Sequence, residues 1–177
     1  MKPLHLAHEL VSAVVTPLCI AIDATCGNGH DTVFLAGLAG HVYAFDVQQQ
    51  AIESTRNRLV QANLQHRVTL INDGHQNIAK YVRQPIRAAM FNLGFLPGSD
   101  KSVITTPDTT VEALDACLDL LEGGGLITVM VYPRHDGGSV ERDAVLAWSR
   151  GHDAVIHGDA SGLSPFLVVI PSRKPFK

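Results

Sequence analysis

Residues 21–32, with the sequence AIDATCGNGHDT, contain residue types that can hold a nucleotide. An apolar segment precedes them, two glycines are separated by one residue, and a helical pattern follows. Gly27 and Gly29 allow a ligand to approach the bare backbone at the start of that helix, so the stretch predicts a nucleotide-cofactor loop. The candidate contacts within it are Asp23, Gly27, Asn28, Gly29 and Asp31.

A second acid supports this interpretation. Asp46 closes the strand-like run HVYAFD, about 20 residues after the first glycine, and a carboxylate there can accept hydrogen bonds from both ribose hydroxyls. Gln48, at the start of the next helix, is a further candidate contact. The alternatives are a tight glycine turn without a ligand, Asp23 as a cap of that turn, Asp31 as a first-turn acid favoured by the helix dipole, and Gln48 as helix surface.

Size and charge restrict the class of protein. The chain has 177 residues, of which 46% are hydrophobic, so it can form one well-packed domain and is too short for two ordinary ones. The formal net charge is -3 and the sequence pI is near 6.3, whereas nucleic-acid binders usually carry a basic excess. The overall charge therefore gives no support to a nucleic-acid partner.

Cysteine usage and hydropathy indicate a cytoplasmic protein with no membrane segment. The three cysteines are odd in number and lack C-x-x-C spacing, which disfavours a disulfide framework and a zinc site. His5 and His8 of the opening helix lie at i, i+3 without an evident carboxylate partner, so no metal site is predicted. The longest apolar stretch, residues 10–22, is interrupted by Thr16 and Pro17 and is shorter than a membrane span.

Strand-like and helical patterns alternate along the chain after an opening amphipathic helix that Pro17 ends. The last two strand-like runs have only a turn-rich segment between them, which predicts an antiparallel hairpin. The chain is therefore predicted to be a single domain, residues 1–177, with a doubly wound, mostly parallel sheet that ends in this hairpin. The predicted strands are 18–23, 41–46, 68–71, 86–93, 126–132, 154–157 and 166–170, and the later predicted helices are 32–38, 48–63, 110–121 and 139–149.

Two classes of nucleotide cofactor compete for the glycine loop. An NAD site of the G-x-G-x-x-G type has a third glycine where this chain has Thr32, and a purely parallel Rossmann sheet needs no terminal hairpin. The order of elements is similar to that of class I S-adenosylmethionine methyltransferases. Their α/β fold is Rossmann-like, with a seven-stranded, mostly parallel sheet, a C-terminal antiparallel hairpin and helices on both faces. This resemblance implies S-adenosylmethionine as the cofactor and Asp46 as the ribose acid.

The turn after the third predicted strand matches the adenine-side acid of these methyltransferases. Asp73, in an Asn-Asp-Gly turn, can place a carboxylate or a backbone group near the exocyclic amine of adenine. His75 follows as a further candidate contact. The alternatives are an Asx-turn role for Asp73 and an exposed surface position for His75.

The segment FNLGFLPG, residues 91–98, ends the fourth predicted strand, at the edge where open α/β sheets bind ligands. It resembles the N-P-P-[YF] motif of amino-group methyltransferases, with Leu93 and Gly94 in place of the two prolines. The resemblance implies that the Asn92 side chain and a backbone carbonyl accept hydrogen bonds from the target nitrogen, while Phe95 stacks on the base. A turn with a buried phenylalanine is the alternative. Asn92 is thus the predicted catalytic residue, and the predicted substrate-binding residues here are Gly94, Phe95, Leu96 and Pro97.

The segment YPRHDGG, residues 132–138, follows the fifth predicted strand at the same edge. We expect Tyr132 and His135 to line the acceptor pocket as substrate-binding residues, with a solvated loop as the alternative. A primary alkylamine is protonated at neutral pH and must lose a proton before it accepts a methyl group. No dedicated base is evident in the sequence, and His135 is only a candidate.

Four motifs together are similar to those of one family. They are D-A-T-x-G-N-G-x-D-T at 23–32, N-L-G-[FY]-L-P-G-x-D-K at 92–101, the threonine-rich residues 105–110, and Y-P-x-H-x-G-G-x-x-E at 132–141. From about residue 8 to the last strand, the chain resembles the small bacterial group described as putative rRNA methylases and now associated with tRNA wobble-uridine methylation. The resemblance implies methylation of the aminomethyl nitrogen of 5-aminomethyl-(2-thio)uridine at the wobble position. Arg134 departs from the family pattern, in which we expect glycine.

The resemblance also implies a tRNA partner, bound through its anticodon loop by the edge of the sheet itself, and a homodimer would double that surface. Two other functions stay open: methylation of rRNA, a protein amine or a small molecule, and a non-catalytic S-adenosylmethionine- or dinucleotide-binding module. The acidic net charge keeps the first open, and the Asn92 loop argues against the second. The basic side chains proposed for phosphate contacts are Arg56, Arg58, Arg67, Arg83, Arg87, Arg134, Arg173 and Lys174.

Overall fold

The computed structural model describes residues 1–94 and 106–177. Short 3-10 turns at Gln65–Arg67 and His75–Asn77 precede β3 and α4. The strands are β1 (Ile20–Asp23), β2 (His41–Phe45), β3 (Val68–Ile71), β4 (Ile86–Asn92), β5 (Leu121–Val131), β6 (Val155–His157) and β7 (Phe166–Pro171). The helices are α1 (Pro3–Val14), α2 (His30–Leu38), α3 (Gln49–Gln61), α4 (Ile78–Tyr81), α5 (Pro107–Leu120) and α6 (Gly138–Ser149).

These strands form one seven-stranded sheet in the order β3-β2-β1-β4-β5-β7-β6. The pairs from β3 to β5 are parallel, whereas β7 runs antiparallel to both of its neighbours. The chain extends the sheet from β1 to β3 and then crosses back to place β4 on the other side of β1. Open α/β sheets bind ligands beyond the carboxyl ends of the strands at such a reversal. The predicted doubly wound sheet with seven strands and a terminal antiparallel hairpin is confirmed.

Helices cover both faces of this sheet. On one face, α1, α2 and α3 bury Val11, Leu35 and Leu59 against the strands. On the other face, α5 and α6 bury Leu114 and Val145, together with α4. Because both faces are covered, the inner strands have no polar alternation, and β5 is buried continuously over its last seven residues. Within residues 1–94 and 106–177, no helix combines the length and the apolar content needed to cross a bilayer.

The glycine run 123–125 lies in the gap between the predicted helix 110–121 and the predicted strand 126–132. In the structure, β5 already begins at Leu121, directly after the helix. Its pairing with β4 is irregular between Ile86 and Ala88, so the glycines form a distorted part of the strand. Gly124 has a φ of 80°, a conformation that favours glycine and permits this distortion.

Helix starts also differ slightly from the prediction. α2 begins at His30 and α5 at Pro107, both earlier than the apolar spacing indicates. A proline at the first position of α5 has its φ fixed for a helix and lacks an N–H that would have no partner there. The short α4, Ile78–Tyr81, was not predicted, because four residues are too few to show a helical period.

Candidate cofactor and acceptor site

A cleft of about 950 Å³ opens at the carboxyl ends of the parallel strands. This volume lies at the upper end of the range of small-molecule sites, about 300–1,000 Å³. Of the predicted site residues that the structure describes, only Asp23 and Gly29 do not line it. Phe95, Leu96 and Pro97 lie outside the described residues. The predicted residues in the lining are Gly27, Asn28, Asp31, Asp46, Gln48, Asp73, His75, Asn92, Gly94, Tyr132 and His135.

The glycine turn is fixed from behind by α3. Gly27 and Gly29 have φ values of 52° and 85°, which L side chains rarely adopt. A Cβ at Gly29 would lie 2.8 Å from the Thr55 Cα, so the close approach of α3 also requires glycine there. Two side chains of α3 donate to the turn: Thr55 Oγ1 to the Gly27 carbonyl at 3.0 Å, and Arg58 Nε to the Asn28 carbonyl at 2.8 Å. Gly29 thus shapes the turn, while Gly27 and Asn28 line the cleft.

Asp23 lies beneath this turn and is 1% exposed. Its carboxylate accepts hydrogen bonds from Thr32 Oγ1 at 2.6 Å and from the Thr25 N–H at 3.2 Å, which join the end of β1 to α2 and to the turn. Burial raises the pKa of Asp23 to about 7, and the charge of Asp31 adds to the rise. The geometry corresponds to the capping alternative, because these contacts order the turn and Asp23 does not line the cleft.

Asp46 follows β2 and is half-buried at the cleft. Its two oxygens accept the N–H groups of Gly27 and Gln48, each at 3.0 Å. Burial raises the pKa of Asp46, and these backbone hydrogen bonds oppose the rise. Each carboxylate oxygen can accept a second donor, so the site can also bind the two hydroxyls of a diol such as ribose.

Asp73 lines the cleft after β3, but its carboxylate already has three protein donors. Oδ1 accepts from the Gly74 N–H at 2.7 Å and from Asn77 Nδ2 at 2.8 Å, and Oδ2 accepts from the Tyr81 hydroxyl at 2.8 Å. The hydrogen bond from Tyr81, followed by that from Asn77, lowers the pKa of Asp73. Asp73 therefore orders the turn that leads into α4, in addition to its place at the cleft.

His75 is 5% exposed, so the alternative of an exposed surface histidine is wrong. Its Nδ1 donates to the Ala24 carbonyl oxygen at 3.1 Å, and its ring lies 5.6 Å from the ring of Phe91. Burial lowers the pKa of His75 to about 4, which keeps the imidazole neutral at pH 7. With Nδ1 as the donor, Nε2 is left as a hydrogen-bond acceptor.

Asn92 ends β4 and lines the cleft beside Asp31. Its backbone N–H donates to Thr25 Oγ1 at 2.7 Å, and its Nδ2 donates to Asp31 Oδ2 in a longer contact of 3.4 Å. Burial raises the pKa of Tyr132, the charge of Asp31 adds to the rise, and a hydrogen bond with Asn92 opposes it. Asn92, Asp31 and Tyr132 thus form one polar cluster, which we call the acceptor cluster.

His135 lies beside the end of β4. A Cβ at Gly94 would be 3.7 Å from the His135 ring, and His135 Nδ1 lies 2.9 Å from the Asp136 carbonyl oxygen. Tyr132 and His135 are both partly buried, whereas Arg134 is exposed. The segment after β5 therefore contributes to the cleft as predicted, and the alternative of a fully solvated loop is wrong for these two residues.

The sequence analysis missed a partner of Asp31 on the first helix. His8 Nε2 lies 2.7 Å from Asp31 Oδ1, and the His8 ring stacks on Phe34 with ring centroids 4.0 Å apart. The prediction that His8 lacks a carboxylate partner is therefore wrong. The two residues are 23 positions apart, and only the packing of α1 beside α2 brings them together, so no local spacing could have indicated the pair.

The glutamate of the Y-P-x-H-x-G-G-x-x-E motif has a structural role. Glu141, in α6, is 1% exposed and accepts a hydrogen bond from Thr110 Oγ1 of α5 at 2.7 Å. This contact joins two of the four sequence motifs, the threonine-rich residues and the segment after β5. The buried acid is thus paired with a threonine that is 31 positions away in the sequence.

The cysteines show no arrangement for catalysis or metal binding. Cys19, Cys26 and Cys117 are free thiols, and all three are buried. Burial raises the pKa of Cys26 and of Cys117, so neither is a thiolate at neutral pH. In residues 1–94 and 106–177, no three histidine, cysteine or acidic side chains are grouped to hold a metal ion.

Comparison with known proteins gives one consistent family. The family described as "Putative rRNA methylase" matches residues 42–155. A "tRNA (mnm(5)s(2)U34)-methyltransferase, chloroplastic" from Arabidopsis thaliana is 41% identical over 163 residues, which cover 85% of this chain. The match spans 60% of that relative's own length.

Two solved structures are similar over nearly the whole chain. The crystal structure of a putative rRNA methylase from Clostridium thermocellum has a TM-score of 0.93 at 41% identity, and the match covers 97% of each chain. A putative methyltransferase from Streptococcus mutans, crystallised in complex with SAH, has a TM-score of 0.89 at 48% identity, with 96% of this chain and 97% of that chain covered. The sequence motifs, the order of strands in the sheet and these relatives thus indicate the same family.

Proposed function

Because this chain belongs to the family described as "Putative rRNA methylase", we propose that it is an S-adenosylmethionine-dependent methyltransferase that acts on an RNA amine. The proposed acceptor is the aminomethyl nitrogen of 5-aminomethyl-(2-thio)uridine at the tRNA wobble position. The observation that carries this choice is the acceptor cluster, in which Asn92 and the buried acid Asp31 meet at the edge of a nucleotide-sized cleft. An amide oxygen and a carboxylate are suited to bind and orient an amine.

The cleft has donors and acceptors that fit S-adenosylmethionine. Asp46 supports this fit most directly, because its half-buried carboxylate retains lone pairs for the two ribose hydroxyls. When bound, the cofactor supplies a methyl group on a positively charged sulfur. The residues proposed to hold it are Gly27 and Asn28 of the turn, Asp46 and Gln48 for the ribose, and Asp73 and His75 for the adenine.

Residues at the other end of the cleft are proposed to orient the amine. Asn92 Nδ2 donates to Asp31, which leaves Oδ1 of the same amide to accept an N–H of the substrate. Methyl transfer is an in-line displacement, so most of the rate comes from aligning the nitrogen lone pair with the methyl group. As nitrogen forms the new N–C bond, the electrons of the broken C–S bond stay on sulfur.

Exposure and protein partners favour one of the arginines proposed for tRNA phosphates over three others. Arg134 is exposed and lines the cleft, so we propose it as the phosphate contact at the edge of the site. Arg58 and Arg67 donate to backbone carbonyls of the protein, and Arg87 pairs with Glu122 at 2.8 Å. These three already have protein partners and are weaker candidates.

The remaining proposals concern the number of domains, the cell compartment and the oligomeric state. One sheet includes strands from residue 20 to residue 171, which supports a single methyltransferase domain. Three free, buried cysteines are compatible with a reducing cytoplasm. We also propose a homodimer, which would place two clefts and two Arg134 side chains on one tRNA-binding surface.

The decisive experiment offers labelled S-adenosylmethionine and purified protein two tRNAs that differ only in the aminomethyl group at the wobble uridine. We expect label in the wobble nucleoside of the aminomethylated tRNA and none in the other. The discrimination should be nearly absolute, because a tRNA without the amine has no nucleophile. Label in ribosomal RNA or protein, with the aminomethylated tRNA unmodified, would contradict the proposed acceptor.

A further inference from the structure

The proposed reaction requires a place for one proton. The substrate amine is an ammonium ion at neutral pH, and its nitrogen has no lone pair until an N–H bond breaks. Once that proton leaves, the nitrogen takes the methyl group and becomes a secondary ammonium, while the sulfonium becomes a neutral thioether. Each turnover therefore releases one proton, and a group at the acceptor cluster that can accept it would raise the rate.

Asp31 lies between the cleft and the solvent. Oδ2 contacts Asn92 Nδ2 at 3.4 Å on the cleft side, and Oδ1 contacts His8 Nε2 at 2.7 Å on the other side. The Asp31 side chain is 9% exposed, whereas that of His8 is 29% exposed. Asp31 lines the cleft. A continuous path thus leads from the amine site, through a buried carboxylate, to an imidazole that water can reach.

The pair is held in a fixed geometry. The His8 ring stacks on Phe34, with 8° between the ring planes, so the imidazole edge that carries Nε2 is aimed at Asp31. Asp31 is in the first turn of α2, where a negative charge is favoured by the helix dipole. Both side chains are therefore positioned by packing, before any substrate binds.

The charges around the pair favour a cation at this position. Asp31 is faced by His8 from α1, by the buried carboxyl of Asp23 from β1, by the amide of Asn92 from β4 and by the phenol of Tyr132 after β5. Strands β4, β5 and β7 also pack on α1, and β7 carries no titratable side chain. Arg87 of β4 and Glu122 of β5 pair with each other at 2.8 Å, and Arg87 donates to the Val14 carbonyl at the carboxyl end of α1, away from His8. Asp31 and Asp23 are both acids, and the described groups that face Asp31 include no lysine or arginine, so an ammonium ion is attracted to Asp31.

Resting on the proposed function, we propose that Asp31 binds the substrate ammonium and accepts its proton, and that His8 relays this proton to water. In this step the N–H bond of the ammonium breaks, its electron pair stays on nitrogen, and the proton moves to Asp31 and then to His8. Asp31 is thus a catalytic residue, and His8 is a positioning and relay residue that acts through it. This assigns Asp31 to the acceptor and not to the cofactor.

Other candidate bases are less well placed. Burial raises the pKa of Tyr132, so the phenol remains protonated and is not a base at neutral pH. His75 is buried on the cofactor side of the cleft, where its Nδ1 donates to the Ala24 carbonyl oxygen. His135 Nδ1 lies 2.9 Å from the Asp136 carbonyl oxygen. The His8–Asp31 pair joins the amine site to solvent within the part of the chain that the structure describes.

The test is the pH dependence of the single-turnover rate on aminomethylated tRNA, with saturating cofactor and enzyme. His8→Gln retains a donor for Asp31 but cannot carry a proton, and we expect a rate about 100-fold lower at pH 7, the low end of acid–base contributions. Between pH 7 and 9 the variant should gain about tenfold per pH unit, because the amine then loses its proton to water unaided, while the wild type changes by less than about threefold.

The matched control is His5→Gln, an exposed histidine on the same helix, which should follow the wild-type profile. Asp31→Asn should show the same steep pH dependence as His8→Gln, and both variants should bind SAH within twofold of the wild type. A His8→Gln profile parallel to the wild type, whether lowered or not, would overturn the relay. Wild-type protein that leaves the aminomethylated tRNA unmodified would instead overturn the proposed function.

Discussion

Replacement of Asp46 by alanine tests the cofactor side of the cleft most directly. The carboxylate accepts the N–H groups of Gly27 and Gln48 at 3.0 Å each, and its remaining lone pairs are the proposed acceptors for two ribose hydroxyls. Hydrogen bonds to a charged group contribute about 1.5–3 kcal/mol. Since water competes at this half-buried position, we expect a total loss of about 2–3 kcal/mol, which is about 30- to 150-fold in Kd.

Titration calorimetry with SAH measures this loss. Glu53→Gln, which removes an exposed acid of α3, is the matched control and should bind within twofold of the wild type. Asp46→Asn should give an intermediate loss, because the amide keeps one oxygen for the turn while the charge and the second acceptor disappear. An Asp46→Ala variant with wild-type affinity would refute the assignment of this acid to the ribose.

Three further changes probe other parts of the molecule. Asn92→Ala should leave the SAH affinity within twofold of the wild type and lower the single-turnover rate by about 100-fold, since its proposed contacts are with the acceptor. Weakened SAH binding with a normal rate at saturation would contradict this role. Gly29→Ala should lower the unfolding free energy measured in urea by about 2–3 kcal/mol, because the φ of 85° and the nearby Thr55 Cα exclude a side chain. The control is Gly37→Ala in α2, where the space is open, and this change should be neutral or slightly stabilising. His75, whose pKa is lowered to about 4, makes the folded chain bind fewer protons than the unfolded chain between pH 4 and 6.5. Between pH 7 and pH 5 the wild type should therefore lose about 2 kcal/mol of unfolding free energy relative to His75→Gln, and an equal change in both would contradict the assignment.

Periodicity and the order of elements along the chain predicted most of the fold, because each prediction depended on residues that are close in sequence. The continuous apolar run of β5 indicated a strand covered on both faces, and the turn-rich segment before β7 indicated a hairpin. The errors lie where tertiary contacts decide the boundary. The glycines at 123–125 resemble a stop signal, yet pairing with β4 begins at Leu121 and incorporates them into the strand.

The site was predictable to the extent that it is built from strand ends. Asp46, Asp73 and Asn92 each follow a strand of the same parallel sheet, so the topology places all three at one edge. The role of Asp23 was not predictable, because whether an acid at a strand end lies above or below the glycine turn depends on Thr32 and the packing of α2. The His8–Asp31 pair depends on the position of α1, which no local motif specifies.

The contacts between α3 and the glycine turn have a consequence for the thermodynamics of ligand binding. With the Gly27 and Asn28 carbonyls bonded to Thr55 and Arg58, the loop loses its conformational entropy when the chain folds and not when a nucleotide arrives. Binding then proceeds on a preorganised surface, with little additional ordering of the backbone. The N–H groups of Cys26, Gly27 and Gly29 donate to the Phe45 carbonyl, to Asp46 and to the Cys26 carbonyl. Their amide hydrogen exchange should accordingly be slow in the free protein and change little on addition of SAH.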